Sequence, residues 1–224
     1  MTIELRAVGY RYPGYRRLAI EGASLRVDAG EIVGVVGPNE AGKSTLCLVT
    51  SGLAPASTRG ELSGDVLIDG VSLRGLPIHA LPERVGIVFS NPASQLSGLA
   101  STVFEEVAIG PINLGIEVQE TVARVVAALR AVGIDDLAER RPDRLSGGQT
   151  QLVAIASLLA MRPRNLVLDE PVAELDPDGR SLVAAALRSV AARGTAIVIA
   201  EHDLDLLRTI GARIVPIADG RLES

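Results

Sequence analysis

Aromatic residues are almost missing from this chain of 224 residues, which has no Trp, two Phe and three Tyr. A surface that stacks bases needs more of them, and no long Lys/Arg run makes up the loss, since the formal net charge is −5. Nucleic acid is therefore not an expected partner. One cysteine, Cys47, excludes an internal disulfide framework and reads as a small buried hydrophobe in a helix. The two histidines, His79 and His202, stand too far apart to make a zinc site by themselves. Long apolar runs are missing as well. Hydrophobic residues make up 47% of the chain, yet the longest run, Leu152 to Met161, contains Ser157 and falls short of the roughly 18 residues that cross a bilayer. The start, "MTIELRAVGYRYP", alternates charged and apolar residues and lacks the basic-then-apolar profile of a signal peptide, so a cytoplasmic location is expected.

What is present is an alternation of short β-rich runs with helical patterns. The runs "EIVGVVG" (31–37), "VGIVF" (85–89), "NLVLD" (165–169) and "GTAIVIA" (194–200) are apolar throughout, as strands covered on both faces are. They predict an α/β fold with a mainly parallel central sheet. Ile3 to Val27 reads instead as half-buried strands around the turn "YPGYRR", a small antiparallel piece beside that sheet. Between Pro111 and Arg141 the pattern is helical, with Val118, Val122, Val125, Val126, Leu129 and Val132 expected on one packed face.

Three motifs carry chemistry. "GPNEAGKST", from Gly37 through Pro38, Asn39, Glu40, Ala41, Gly42, Lys43 and Ser44 to Thr45, fits the phosphate-loop pattern between an apolar strand and a helix. Backbone N–H groups and the helix dipole attract phosphate, Lys43 adds a point charge between the β- and γ-phosphates, and the Ser44 hydroxyl suits Mg²⁺. ATP and Mg²⁺ are the expected ligands. Glu40 is unusual, since glycine is easier at a tight turn and a carboxylate repels phosphate; its side chain is expected in solvent. "NLVLDEP" ends a buried strand in two carboxylates. Asp169 is expected to hold Mg²⁺ through water and Glu170 to orient and deprotonate the attacking water, a contribution of roughly 10²–10⁴-fold in rate. "LSGGQ" places Ser146, Gly147, Gly148 and Gln149 at a second helix N-terminus suited to a γ-phosphate. A chain with one phosphate loop gains little from another in the same site, so this one is expected to serve the nucleotide of a second subunit in a head-to-tail dimer.

With these motifs the sequence resembles the ATP-binding subunits of ABC transporters over almost its whole length. The resemblance implies a P-loop NTPase fold as a single domain over 1–224, with a core at 1–89 and 163–224 and a helical signature subdomain at about 90–162. It implies that Tyr12 stacks on adenine, with Tyr10 and Tyr15 as neighbouring candidates. It also implies that Asp176 in "AELDP" acts across the dimer and that His202 in "EHD" is a switch histidine contacting the γ-phosphate and the catalytic carboxylate. "NPASQLSGLASTVFEEVAIGPINLGI" (91–116) resembles the ATPases of energy-coupling factor importers for vitamins, nickel or cobalt. That likeness implies integral membrane partners, a coupling helix docked on the helical segment after Ser90, and a place at the cytoplasmic face of the membrane.

Two departures stand against this pattern. The sequence given stops at Ser224, without the C-terminal extension many such subunits use to dimerise, and Ser90 replaces a glutamine that touches Mg²⁺ and senses the γ-phosphate. Ser90 keeps an oxygen but is two bonds shorter, so a bridging water is expected in any metal contact. The other readings are a soluble ABC ATPase not linked to transport and a slow-hydrolysing regulatory switch. The partner ATPase is a second copy or a paralogue; the same motifs serve either.

Overall fold

A computed structural model describes residues 1–223. Two compact units emerge, one of Met1–Ile87, Arg164–Glu170 and Val190–Ser224, the other of Val88–Pro163 and Pro171–Ser189. The segment 171–189 thus groups with the helical residues.

The first unit holds two sheets. Strands β1 (Ile3–Arg11), β2 (Ile20–Val27), β4 (Glu61–Ile68) and β5 (Val71–Ser72) form an antiparallel sheet in the order β2-β1-β4-β5. Alternation along β2, with Ile20, Ala23, Leu25 and Val27 buried, leaves one face for the core and one for water. The second sheet runs β10 (Arg221–Leu222), β9 (Arg213–Ala218), β3 (Ile32–Val36), β8 (Ala196–Ala200), β7 (Asn165–Asp169), β6 (Val85–Val88). Its pairs β9-β3, β3-β8 and β8-β7 are parallel, and every residue of β7 and β8 is buried. The apolar runs of the sequence therefore form a mainly parallel sheet covered on both sides. This order brings the carboxyl ends of β3, β8 and β7 side by side, the edge at which open α/β sheets bind ligands. Helix α1 (Lys43–Thr50) follows β3, α2 (Leu53–Ala56) follows it, and α7 (Leu204–Thr209) follows β8.

In the second unit α3 (Val103–Asn113) and α4 (Val118–Ala131) pack on α5 (Gly147–Met161). Helix α6 (Pro177–Ala192) begins in the same unit. The helical stretch starts earlier than the sequence suggests: Pro111 lies inside α3, and a break at 114–117 separates it from α4. A capping box at Thr102 and Glu105 starts α3, with Thr102 Oγ1 accepting the Glu105 N–H and the Glu105 carboxylate accepting the Thr102 N–H. The packed face of α4 also differs from expectation. Thr121, Val125, Ala128, Leu129 and Val132 are buried, whereas Val118 is 75% exposed and Val122 44% exposed. The stripe is rotated so that small residues meet the neighbours, and two valines face outward. Among the described residues no helix is long and apolar enough to cross a membrane.

Candidate functional site

The phosphate loop leaves β3 at Val36 and enters α1 at Lys43, and its glycines are dictated by close approach. A Cβ at Gly37 would stand 2.2 Å from the Ile217 carbonyl oxygen of β9. Gly42 caps α1 at φ +104, where a Cβ would meet the Ala19 carbonyl oxygen at 2.8 Å. Glu40 occupies the left-handed region at φ +64, which explains why glycine would sit there more easily, and its side chain is exposed, as expected. Lys43 is buried, and its Nζ donates to the carbonyls of Gly37 at 2.9 Å and Pro38 at 3.1 Å, which holds the ammonium over the loop.

Around this loop lies a cavity of about 420 Å³ lined by Tyr12, Tyr15, Asn39, Glu40, Gly42, Lys43, Ser44, Thr45, Glu170 and Gly220, among others. Tyr12 Oη lies 3.2 Å from Thr45 Oγ1, and its ring stands edge-on to Tyr10 at 4.9 Å and to Tyr15 at 6.3 Å. Tyr10 is fully buried, its hydroxyl 2.7 Å from Thr58 Oγ1, so it is unavailable to stack on a base. Tyr12 and the 71%-exposed Tyr15 both face the cavity.

At the end of β7 Asp169 is buried and Glu170 half-buried, the latter in the left-handed region at φ +48 with its N–H donated to the Ala200 carbonyl. Strained backbone of this kind persists where surrounding structure holds it. Glu170 Oε1 lies 3.9 Å from Lys43 Nζ and 4.0 Å from His202 Nδ1. The ends of β3, β7 and β8 thus deliver a cation, a carboxylate and an imidazole to one place.

One neighbour, the first residue of the "EHD" triplet, has no role assigned by the sequence. Glu201, between β8 and His202, is fully buried; its Oε1 accepts the N–H of His202 at 2.8 Å and of Asp203 at 3.2 Å and lies 3.2 Å from His202 Nδ1. Burial pushes its carboxyl above the usual range, the Glu170 charge adds to that, and the two N–H bonds and His202 oppose it. The only signal was an acid directly after a wholly apolar strand. Cys47 is buried in α1, as expected, and burial, with the Asp169 charge behind it, pushes its thiol well up.

The donors of this unit fit the expected ligands. A tight loop opening a helix and a buried ammonium suit phosphates, while the Ser44 hydroxyl and Asp169 carboxylate are hard oxygens suited to Mg²⁺. Among the described residues no three His, Cys, Asp or Glu gather as a metal cluster. A Mg²⁺ ion there would take its remaining ligands from phosphate oxygens and water, its usual habit.

In the second unit the signature residues build the start of α5. Ser146 Oγ accepts the Gln149 N–H at 3.2 Å and Gln149 Oε1 accepts the Ser146 N–H at 3.0 Å, a capping box. Gly148 is again required by contact, since a Cβ there would stand 2.8 Å from the Glu174 carbonyl oxygen, whereas a Cβ at Gly147 would meet only the end of the Glu174 side chain, at 3.2 Å. Asp176 Oδ1 accepts the Gly179 N–H at 2.8 Å and caps α6, with Pro177 at its first position. Ser90 is exposed; beside it Gln95 Oε1 accepts the Phe89 N–H at 2.8 Å, so this glutamine is used in shaping the turn.

A model of the ABC transporter family matches residues 20–173. The chain belongs to the ABC transporter family. As an ABC chain it is 40% identical over 222 residues to the energy-coupling factor transporter ATP-binding protein EcfA of Methanosphaera stadtmanae, covering 98% of this chain and 77% of that protein. It superposes with a TM-score of 0.85 and 27% identity on an ATP-binding cassette solved as a dimer in a post-hydrolysis state bound to ADP and Pi, covering 99% and 97% of the two chains. Against cbiO1 of Clostridium perfringens, described as part of the ABC transporter complex cbiONQ, the TM-score is 0.82 at 32% identity, covering 99% of this chain and 86% of that one. It is an ABC ATP-binding subunit with relatives named for energy-coupling factor transport.

Proposed function

We propose that this ABC subunit hydrolyses ATP with Mg²⁺ in a head-to-tail dimer and so powers an importer of the energy-coupling factor type. The observation that carries the reading is the convergence of Lys43 and His202 on Glu170, whose Oε1 lies within 4.0 Å of both nitrogens and which lines the cavity together with Lys43. Lys43 and the loop N–H groups bind the β- and γ-phosphates. Tyr12 packs against the base. Ser44 and Asp169 would hold Mg²⁺, which when bound would supply neutralisation of charge on the phosphate oxygens. Glu170 accepts a proton from a water whose oxygen bonds to the γ-phosphorus while the bond to the leaving ADP oxygen breaks. Ser146 to Gln149 cover the γ-phosphate of the partner's nucleotide, and Asp176 acts across the same interface.

ATP then favours the closed dimer because it contacts two chains there and one chain in the open state, and hydrolysis removes that difference. The named relatives support membrane partners, as do side chains that the helical unit leaves to solvent, Leu99, Ile112, Val118 and Val122. The purified chain is expected to release phosphate from ATP, and Glu170→Gln to abolish release while ATP still binds and drives dimerisation. Undiminished release by that variant would remove Glu170 from its role. Membrane subunits are expected to co-purify with the parent and not with Val118→Asp/Val122→Asp; equal recovery would move the docking surface elsewhere.

A further inference from the structure

A fully buried carboxylate is expensive, and Glu201 follows the wholly apolar β8. Its backbone N–H is tied to the Val35 carbonyl at 3.1 Å, so the residue cannot swing out without breaking the sheet edge. One carboxylate oxygen, Oε2, is buried with no hydrogen-bond partner among the described residues. An orphaned buried acceptor forfeits its hydration without compensation, so packing alone would favour an apolar residue here. All the contacts that Oε1 makes are with the turn that carries the histidine: the His202 N–H, the Asp203 N–H and, at 3.2 Å, His202 Nδ1. Glu170 approaches the same nitrogen only to 4.0 Å, beyond hydrogen-bonding distance. Two carboxylates flank one imidazole, and only the buried one is close enough to hold it.

We infer that Glu201 is a positioning residue: it accepts the Nδ1–H of His202, fixes the rotation of a side chain that is otherwise 65% exposed and the tautomer of its neutral ring, and leaves Nε2 directed at the reacting phosphate, to which it donates when the ring carries its second proton. This division of labour keeps Glu170 free for water. The inference rests on the reading that the site hydrolyses ATP, and it adds a residue to which none of the motifs assigns a role.

Nitrogen-15 spectra of the imidazoles test it directly, because the chain has two histidines and the exposed His79 serves as an internal reference. With its ring neutral, His202 of the parent is expected as the Nδ1–H tautomer and His79 as the Nε2–H form usual in water. Glu201→Gln keeps an acceptor oxygen and keeps that tautomer, whereas Glu201→Val is expected to move His202 to the pattern of His79. In the same variants kcat for ATP is expected to fall on the order of tenfold or more in Glu201→Val and much less in Glu201→Gln, with ATP affinity within about twofold of the parent, the size of effect seen when an orienting partner is removed. Thermal unfolding separates misfolded protein from mispositioned histidine, and the parent and Glu201→Gln spectra stand even where Glu201→Val does not fold. A parent that shows the Nε2–H tautomer, or a folded Glu201→Val with unchanged spectrum and unchanged kcat, overturns the inference. A parent with the expected tautomer and no phosphate release would instead contradict the hydrolytic reading.

Discussion

Lys43 Nζ stands 3.9 Å from Glu170 Oε1, so the cation proposed to bind phosphate and the carboxylate proposed to activate water share one wall of the cavity although 127 positions separate them in the chain. The pairing exists because β3 and β7 flank β8 in one parallel sheet, which sets their carboxyl ends a strand apart. Lys43→Ala is expected to weaken ATP binding about tenfold or more, one charge-assisted hydrogen bond being worth roughly 1.5–3 kcal/mol. Calorimetric titration with ATP checks this; an unchanged dissociation constant would separate the loop from the nucleotide.

Ser146 caps α5, and this can be parted from its proposed contact with the partner's nucleotide. Asp caps a helix as well as Ser does, so Ser146→Asp is expected to hold stability to urea within about 1 kcal/mol. Its negative charge would face the partner's γ-phosphate, so ATP-driven dimerisation should be lost in a Glu170→Gln background, as followed by sedimentation. A variant that dimerises like the Ser146 form would show that the signature does not meet nucleotide.

Stability should depend on pH through Glu201. Burial raises its carboxyl in the folded chain above the unfolded value, so the folded state holds that proton more tightly. The contribution is complete below the ordinary carboxylate value and is lost as pH rises through the raised one. Glu201→Gln, which cannot ionise, lacks that loss. Urea unfolding between about pH 4 and about pH 8 is expected to show the parent losing ground to Glu201→Gln as pH rises. A constant difference would mean that the carboxyl is not raised.

Ser90→Gln restores the longer amide at the turn after β6 and is expected to raise ATP turnover or tighten its coupling to the membrane subunits. Gln95 does not stand in for it, because its carbonyl oxygen is bonded to the Phe89 N–H. Turnover and coupling equal to the parent would show that Ser90 already suffices.

The features legible in the sequence are those set by contiguous residues. The phosphate loop, the carboxylate pair and the signature lie in runs of a few residues, because a tight turn and a helix N-terminus are local structures. Buried parallel strands were legible from their unbroken apolar runs. β4 was not, because Gly64 and Asp65 interrupt "ELSGDVLI". Gly64 lies there at φ +71, against the irregular part of β1 between Arg6 and Gly9, and a Cβ would come within 2.4 Å of the Ala7 and Arg6 carbonyls. Helical periodicity misjudged the α4 face, since Thr121 and Ala128 pack inward while Val118 and Val122 do not; small residues admit close helix contact, which hydrophobicity alone does not register. Glu201 escaped notice because its importance lies in burial, which no local pattern reveals.

If hydrolysis occurs at a site shared by two chains, two variants that are each inactive should restore it when mixed. Lys43→Ala lacks a working phosphate loop and Ser146→Arg lacks a working signature, so each alone is expected to release almost no phosphate. In a mixed head-to-tail dimer one site receives its phosphate loop from the Ser146→Arg chain and its signature from the Lys43→Ala chain, and both are intact. Phosphate release is expected to return on mixing; a mixture that dimerises and stays as inactive as its components would show that the two chains do not share a site.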